Sequence, residues 1–337
     1  MIKIVLDCFG GDNSPKANVD GAIHALMKNH DLHLILTGDE ATIRGCLWAE
    51  SLSDRIEIVH APDVITGEDK PTEAIKRRKE SSLVKGLELL RENDDIAGIV
   101  SIGATGAVLA GTVLRLGRIK GVLRPAFCPI LPTMHDGIVG VCDSGANVDC
   151  KPAYLKQFAI MGSVYLRSVY GVENPKVALL NVGVESEKGG VLHQEAYELL
   201  KACDSVNFVG NMESRDLLSG KYDLVVCDGF SGNVLLKATE GACLETLGRL
   251  KRGFGRNLRT KLGALLLKKM LMEEKRFLDY QNYGGSILAG AKKIVVKGHG
   301  SSKATGVEKC IEQAYKMASS GYCQEVERAL LESKPEE

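Results

Sequence analysis

Two side chains in this sequence, Lys188 and Asn233, have the types and surroundings needed to stabilise negative charge on an oxygen atom. Lys188 is the one lysine in the glycine-rich stretch 181–190, and Asn233 ends the sequence Asp-Gly-Phe-Ser-Gly-Asn at 228–233. An ammonium group and an amide donor could hold a phosphate or the oxyanion that forms when an acyl group is attacked. The alternatives are structural, because Lys188 could be an ordinary surface residue and Asn233 could cap a helix.

Glycine-rich loops elsewhere in the sequence could bring backbone N–H groups close to the same anion. Glycine has no Cβ, and a helix that follows such a loop presents unpaired N–H groups at its first turn. The loops 7–12 and 101–106 have neither a Gly-x-Gly-x-x-Gly pattern nor a Walker pattern, so a plain tight turn is an equal alternative for each. The candidate substrate-binding residues are Gly10, Gly11, Asp12, Gly103, Thr105, Gly106, Asn147, Gly232, His299 and Ser301.

A metal site is not expected, although one loop contains possible ligands. Asp143, Asn147 and Asp149 lie between a predicted strand and a helix predicted to begin near Pro152, and two carboxylates with an amide could bind a divalent ion. Hydrogen bonding within a turn explains the same residues without a metal. The ten cysteines contain no Cys-x-x-Cys pair, so we expect buried reduced thiols rather than zinc ligands.

Short β-branched runs that alternate with helical patterns are the elements that must position these residues. The runs are apolar throughout, which predicts strands covered on both faces in a mostly parallel sheet. The sequence therefore predicts a three-layer α/β/α sandwich whose loops meet at the carboxyl ends of the strands, where ligands bind in such sheets. The predicted strands are 2–6, 32–36, 56–59, 96–100, 137–141, 177–180, 224–226 and 294–296. We expect a single catalytic domain over residues 1–332, a helix from Val234 and a flexible tail at 333–337.

Composition excludes several classes of protein. The 337 residues include 43 basic and 43 acidic side chains, so no global field would attract nucleic acid. The sequence contains no run of about 18 apolar residues, so no membrane span is predicted. The first residues, Met-Ile-Lys-Ile-Val-Leu-Asp, are typical of a strand rather than of a secretion signal, so we expect a cytoplasmic protein.

One segment, at about 244–282, breaks this neutral balance. Between Arg249 and Arg276 it has ten basic residues against two glutamates, a net charge of +8. Apolar residues also occupy more than half of its helical wheel, which is unusual for a surface helix. We name this stretch the basic apolar segment and consider three interpretations: a homodimer interface, contact with an anionic membrane, or ordinary core. The residues proposed for membrane or dimer contact are Leu262, Leu266, Met270 and Phe277.

Taken together, the loops resemble those of the phosphate acyltransferase family, and the resemblance runs in order from Met1 to about Leu330. The strings at 145–152 and 228–233 are the most specific part of it. Departures from the usual family pattern are few, and none of them removes a proposed catalytic group. The matching segments are 7–12, 103–106, 145–152, 181–189, 228–233 and 299–302, and the departures are Cys8, Ser144 and Lys303.

The resemblance implies a fold similar to that of isocitrate and isopropylmalate dehydrogenases and phosphotransacetylases, a homodimer, and no cofactor. It implies transfer of a long fatty acyl group from acyl-acyl-carrier-protein to inorganic phosphate, giving acyl phosphate for phospholipid synthesis. Lys188 and Asn233 would be the residues most directly involved in turnover. Acyl carrier protein would be a partner, and the protein would contact the inner face of the cell membrane peripherally.

Three other functions stay open at the level of sequence. A short-chain phosphotransacetylase that uses acyl-coenzyme A would need the same chemistry with a smaller acyl group. A nicotinamide-linked decarboxylating dehydrogenase of similar fold would need a divalent metal, for which only Asp143 and Asp149 are weak candidates. A non-catalytic adaptor could use the basic apolar segment alone, but it would leave the glycine-rich loops unexplained.

Overall fold

The structure is a computed structural model, and it describes residues 1–277 and 280–333. Over these residues the chain forms twelve strands and twelve α-helices that alternate for most of its length. The strands are β1 (Ile2–Asp7), β2 (Leu32–Gly38), β3 (Ile56–His60), β4 (Ile96–Ser101), β5 (Ala126–Cys128), β6 (Ile130–Pro132), β7 (Ile138–Cys142), β8 (Lys176–Asn181), β9 (Asn207–Glu213), β10 (Leu224–Val226), β11 (Ser286–Ala289) and β12 (Ile294–Lys297). The helices are α1 (Lys16–Lys28), α2 (Glu40–Cys46), α3 (Pro71–Arg77), α4 (Ser82–Glu92), α5 (Thr105–Gly111), α6 (Pro152–Tyr170), α7 (Val191–Lys201), α8 (Gly229–Phe254), α9 (Leu258–Leu266), α10 (Lys268–Phe277), α11 (Ala304–Ser319) and α12 (Tyr322–Glu332).

The strands form two sheets, where the sequence predicted one. Sheet I has seven strands in the order β3-β2-β1-β4-β12-β11-β5, and sheet II has five in the order β6-β7-β10-β8-β9. Both are mostly parallel, as predicted; β11 runs antiparallel to its two neighbours and β6 antiparallel to β7. The chain crosses from β5 in sheet I to β6 in sheet II at the single residue Pro129, which has no N–H group for either ladder.

Helices cover the sheets, which confirms the α/β layering expected from the apolar runs. In sheet I, α1 and α11 pack together and α11 lies on β4 and β12, while α4 contacts β1, β2 and β4. In sheet II, α6 packs on β7 and β10 and also contacts α11, so it joins the two halves of the core. The central strand β1 has parallel partners on both sides, and its residues Ile4, Val5 and Leu6 are fully buried.

All eight predicted strands are present, as β1, β2, β3, β4, β7, β8, β10 and β12. Four further strands were not predicted, and each lacks the long apolar run on which the prediction depended. β5 and β6 have three residues each, and Pro129 separates them. β9 contains two asparagines, a glycine and a glutamate, and β11 follows two glycines.

Helix boundaries confirm one prediction and correct another. α6 begins at Pro152, as expected of a proline in the first helical position. The prediction of a helix from Val234 is wrong, because α8 already begins at Gly229 and the Asp228 carboxylate accepts a hydrogen bond from the Ser231 N–H group. Asn233 therefore lies inside α8, and Asp228 is the residue that caps it.

Residues 244–277 of the basic apolar segment form the distal half of α8 together with α9 and α10, and residues 278–279 of the segment lie outside the described residues. No residue of α9 is buried, and Leu262 and Leu266 are 59% and 79% exposed. Met270 is also exposed, while Phe277 is partly covered and its ring meets Tyr283 edge-on. The ordinary-core interpretation is therefore wrong for Leu262, Leu266 and Met270.

Two further expectations concern the ends of the chain and the membrane. The predicted tail at 333–337 lies, apart from Ser333, outside the described residues. Within 1–277 and 280–333, the structure contains no helix of the length and apolar character needed to span a bilayer.

Candidate active site

The carboxyl ends of three neighbouring strands of sheet I bring together the loops that carry Gly10, Gly103 and Ser301. β1, β4 and β12 end at Asp7, Ser101 and Lys297, which are paired side by side across the sheet. A Cβ atom on Gly10 would lie 2.4 Å from the Gly103 backbone nitrogen, so only glycine permits this approach.

The loop after β1 is also tied to the loop after β12. The Asp12 N–H group donates to the Gly300 carbonyl at 2.8 Å, and the Asn13 amide donates to the Ser301 carbonyl at 3.2 Å. A side chain on Gly11, where φ is +92°, would meet Ile102. Gly106 similarly approaches Pro71 at the start of α3. The glycines predicted as anion contacts are therefore required for close packing of one loop on another.

In sheet II, the loop after β7 folds around the buried carboxylate of Asp143. This carboxylate accepts hydrogen bonds from the backbone N–H groups of Phe127, Ala146 and Asn147 at 2.7 to 3.1 Å. Burial raises the pKa of Asp143, and these donors oppose that rise. The turn interpretation of this loop accounts for Asp143, and in the described part of the chain no three His, Cys, Asp or Glu side chains gather as a metal-binding group.

Asn147 is used within the same loop. Its side-chain amide donates to the Pro125 carbonyl at 2.8 Å and to Asp143 at 2.9 Å, and its own carbonyl accepts from the Gly229 N–H group at 2.7 Å. A direct contact between Asn147 and a substrate stays a prediction, but the bonds that the structure shows hold the loop against the start of α8.

Two glycines at the start of α8 let the helix lie directly on that loop. A Cβ on Gly232 would be 1.9 Å from the Asp143 carbonyl oxygen, and one on Gly229 would be 2.6 Å from the Asn147 carbonyl oxygen. These approaches explain why Gly232 must be glycine, independently of any contact with substrate. They also fix the position of Asn233, which follows immediately.

Asn233 presents its amide at the mouth of this loop. Its Nδ2 atom donates to the Ser144 carbonyl at 3.2 Å, and it would be 3.0 Å from a Cβ on Gly145, where φ is +134°. An amide NH2 group has two hydrogens, so one bond to Ser144 leaves a second for a substrate oxygen. The backbone N–H groups of Gly229, Ser231 and Gly232 already have acceptors, so they do not provide the helix donors that the sequence suggested.

Lys188 lies in the loop after β8, the strand next to β10 in sheet II. β8 and β10 are parallel, so the loop after β8 leaves the same edge of the sheet as the turn that leads into α8. The lysine is exposed, its carbonyl accepts from the Asn181 amide at 3.0 Å, and its aliphatic chain lies over Gly183. It shares this edge with Asn233 but does not line the cavity that Asn233 forms with His299 and Lys297.

A cavity of about 130 Å³ lies between the two sets of loops. Its polar lining comes from both sheets and includes three predicted residues, Thr105, Asn233 and His299. Five polar side chains that sequence reasoning missed also line it, namely Ser144, Lys237, Glu240, Ser286 and Lys297. The apolar part of the lining is formed by Phe127, Pro129, Ile130, Leu131 and Leu236.

His299 and Ser301 form a pair beside this cavity. The His299 Nδ1 atom and the Ser301 hydroxyl are 2.9 Å apart. Burial lowers the pKa of His299, and the positive charges of Lys237 and Lys297 lower it further, so the imidazole is neutral at pH 7. A neutral imidazole can donate or accept one hydrogen bond but adds no charge to the site.

Lys297 was missed although the sequence contained a signal for it. It directly follows the correctly predicted run 294–296 and stands before Gly298, at the carboxyl edge where ligands bind. Burial lowers its pKa to about 8. Ser286 had no comparable signal, since it begins β11, a strand that was not predicted.

These features define a class of protein: a mostly parallel α/β protein with a small anion-suited cavity between two sheets. The chain matches the model of the family described as "Fatty acid synthesis protein" over residues 2–325, and it belongs to that family. It is 47% identical to a phosphate acyltransferase from Alkaliphilus oremlandii over 94% of this chain and 93% of that protein. It is 43% identical to a phosphate acyltransferase from Bacillus subtilis over the whole of both chains. The family resemblance stated from the loops is thereby confirmed.

Solved structures of low sequence identity share the fold. A phosphotransacetylase from Streptococcus pyogenes superposes with a TM-score of 0.59 at 15% identity, covering 94% of both chains. The EutD phosphotransacetylase from Staphylococcus aureus gives 0.58 at 16% identity, again over 94% of both chains. The expected likeness to the phosphotransacetylase fold is thereby confirmed.

Proposed function

We propose that this chain transfers a long fatty acyl group from acyl-acyl-carrier-protein to inorganic phosphate, giving acyl phosphate for phospholipid synthesis. The observation that carries the proposal is the cavity, whose lining combines the Asn233 amide and the Lys297 ammonium group with apolar side chains. Acyl transfer to phosphate is also the activity in the names of relatives that match almost the entire chain.

The reaction needs charge stabilisation more than it needs a strong base. A phosphate oxygen attacks the thioester carbonyl carbon, a C–O bond forms, and the carbonyl oxygen becomes an oxyanion that Asn233 stabilises through its second amide hydrogen. When the carbonyl reforms, the C–S bond breaks and the electron pair leaves with sulfur. Phosphate is already ionised, and a thiol with a pKa of about 8.5 is an adequate leaving group without an acid.

Lys188 has the second catalytic role in this proposal. It neutralises negative charge on the substrates at the carboxyl edge of sheet II. Because it is exposed and lies at the same edge as the start of α8, it can approach the thioester from outside the cavity. A lysine on a flexible four-carbon stem can reach an anion without a fixed pairing partner. Its glycine-rich surroundings leave space for this movement.

The fatty acyl chain is placed along the inner face of α8. The cavity touches a second, apolar one of about 40 Å³, with which it shares Leu131 and Glu240. Cys243, Leu244 and Leu247 continue this lining one and two helical turns further along α8. An acyl chain that leaves the carbonyl at Asn233 would follow this apolar path toward the basic apolar segment.

The basic apolar segment is proposed to contact an anionic membrane, and paired segments of a homodimer could present it. Exposed leucines on α9 can enter the headgroup region while nearby lysines meet anionic lipid. The same positive charge also suits an acidic acyl carrier protein. The product is lipid-soluble, so a cytoplasmic enzyme that works at the inner membrane surface would release it where it is used.

The second candidate is a short-chain phosphotransacetylase that uses acyl-coenzyme A, since proteins with that name share the fold. The test is to supply phosphate with either a long-chain acyl-carrier-protein thioester or acetyl-coenzyme A and to quantify acyl phosphate. We expect efficient product formation from the long-chain thioester only. Preference for acetyl-coenzyme A would favour the second candidate, and no acyl phosphate from either would refute both.

A further inference from the structure

Lys297 carries a partly buried charge that the described protein leaves unpaired. It ends β12 and lines the cavity together with Asn233 and His299. Among residues 1–277 and 280–333, its ammonium group has no hydrogen bond or ion pair. By contrast, Lys237 on the same cavity is exposed and pairs with Glu240 at 2.7 Å. An ammonium group that has lost part of its water without gaining a partner is unfavourable, so Lys297 needs an explanation outside the protein.

Ser286 gives a second, independent observation at the same place. It lies directly opposite Lys297 in the antiparallel pair of β11 and β12, so both side chains point to the same face about 4.5–5.5 Å apart at Cβ. The Ser286 hydroxyl is buried, makes no hydrogen bond in the described structure, and lines the same cavity. Buried hydroxyl groups normally have a partner. A charged donor and a neutral donor therefore stand side by side without an acceptor.

We propose that Lys297 and Ser286 bind the inorganic phosphate that attacks the acyl thioester. This inference rests on the proposed function and assigns the phosphate to the sheet I side of the cavity. The volume of about 130 Å³ is sufficient, since one water needs about 10–15 Å³ of such space and phosphate has five heavy atoms. Asn233, on the sheet II side, then holds the thioester carbonyl opposite the nucleophile.

Direct binding of inorganic phosphate to the free protein, measured by calorimetry, tests this assignment without turnover. Lys297→Met should weaken binding by about 10- to 100-fold, and Ser286→Ala by about 2- to 10-fold, as expected for losing a charged and a neutral hydrogen bond. Lys293→Met is the matched control. Lys293 lies just before the other end of β12 and is partly buried, but it donates to the Asn93 and Ile96 carbonyls, so phosphate binding should not change.

Thermal unfolding separates lost binding from lost folding. Without phosphate, Lys297→Met should melt at or above the wild-type temperature, because it removes an unpaired, partly buried charge. Added phosphate should raise the melting temperature of the wild type but not that of Lys297→Met. Wild-type phosphate affinity in both folded variants would overturn the inference. A raised KM for the acyl thioester with an unchanged KM for phosphate would also overturn it, because Lys297 would then serve the other substrate.

The pH dependence provides a further readout. The groups around Lys297 are Cys310 on α11, Lys237 on α8, Asp12 and His299, and burial of the lysine is the largest influence on its pKa of about 8. Bound phosphate favours the protonated lysine, so wild-type affinity should fall by up to about tenfold per pH unit above pH 8. Lys297→Met should lack this fall, and a persistent fall in the variant would contradict the assignment. If the wild type binds phosphate through Lys297 but makes no acyl phosphate, the proposed function fails and the phosphate site stands.

Discussion

Replacing Asn233 with alanine separates catalysis from folding more cleanly than other changes in the cavity. The structure gives the side chain one hydrogen bond within the protein, to the Ser144 carbonyl at 3.2 Å, and leaves the residue exposed at the entrance. A neutral bond of this kind contributes about 0.5–1.5 kcal/mol. Asn233→Ala should therefore lower the free energy of unfolding by no more than about 1.5 kcal/mol.

The expected effect of Asn233→Ala on catalysis is much larger. Removal of one donor that stabilises an oxyanion lowers kcat by about 100- to 1000-fold, or about 2.7–4 kcal/mol of transition-state stabilisation. Asn233→Asp tests the direction of the hydrogen bond, because it keeps the size but replaces the NH2 donor with an acceptor. It should be at least as impaired as Asn233→Ala.

The assay is acyl phosphate formation from a long-chain acyl-carrier-protein thioester, with urea unfolding of the same preparations. Val234→Ala is the matched control, since Val234 is 52% exposed on the same turn of α8 and does not line the cavity. It should retain near wild-type kcat. A folded Asn233→Ala protein with kcat within about threefold of the wild type would refute the oxyanion role.

Three further predictions concern other parts of the molecule. Lys188→Ala should lower kcat/KM by about 100-fold with almost no change in the free energy of unfolding, because the side chain is exposed. Lys188→Gln should not restore activity. Full activity in either variant would discard the charge role. Leu266→Glu combined with Met270→Glu should abolish sedimentation with anionic vesicles, since each apolar side chain lost from the membrane interface costs about 1.5–3 kcal/mol. Activity on soluble substrate should be kept. Unchanged vesicle binding would leave only the dimer interpretation. Gly232→Ala should reduce the free energy of unfolding by more than about 3 kcal/mol, because its Cβ would lie 1.9 Å from a backbone oxygen. Gly241→Ala, which has open space in the same helix, should be neutral or stabilising. Equal stability of the two variants would contradict the packing argument.

Most strands that the sequence predicted carry an apolar run and are covered on both faces, while the predicted β3 is a partly exposed edge strand. Burial on both faces requires continuous apolar residues, as in β1 and β4, so the pattern is visible without knowledge of neighbouring strands. β5, β6 and β11 are short, and their place depends on pairing with strands far away in the chain. No local pattern could show that the chain leaves one sheet and enters another at Pro129, so the division into two sheets was not predictable.

The candidate site likewise has features that local sequence patterns show and features that depend on distant parts of the chain. Loops such as 103–106 and 228–233 could be found because glycine and turn residues follow apolar strands. Their glycines also pack closely against neighbouring segments, a role that the sequence alone could not show. Ser286 could not be found, because its importance comes from lying opposite Lys297 across an antiparallel pair.

The two-sheet arrangement explains how one cavity can serve two substrates of opposite character. Sheet I ends at the cavity in Lys297 and His299, which suit a small, highly charged nucleophile. Sheet II faces them with Asn233 and the apolar inner side of α8, which suit a carbonyl attached to a hydrocarbon chain. Pro129, where the chain crosses between the sheets, lines the cavity, so in the proposed reaction the two substrates would meet beside the backbone that joins the sheets. Proximity of this kind, with charge stabilisation on each side, is sufficient for acyl transfer without a general base.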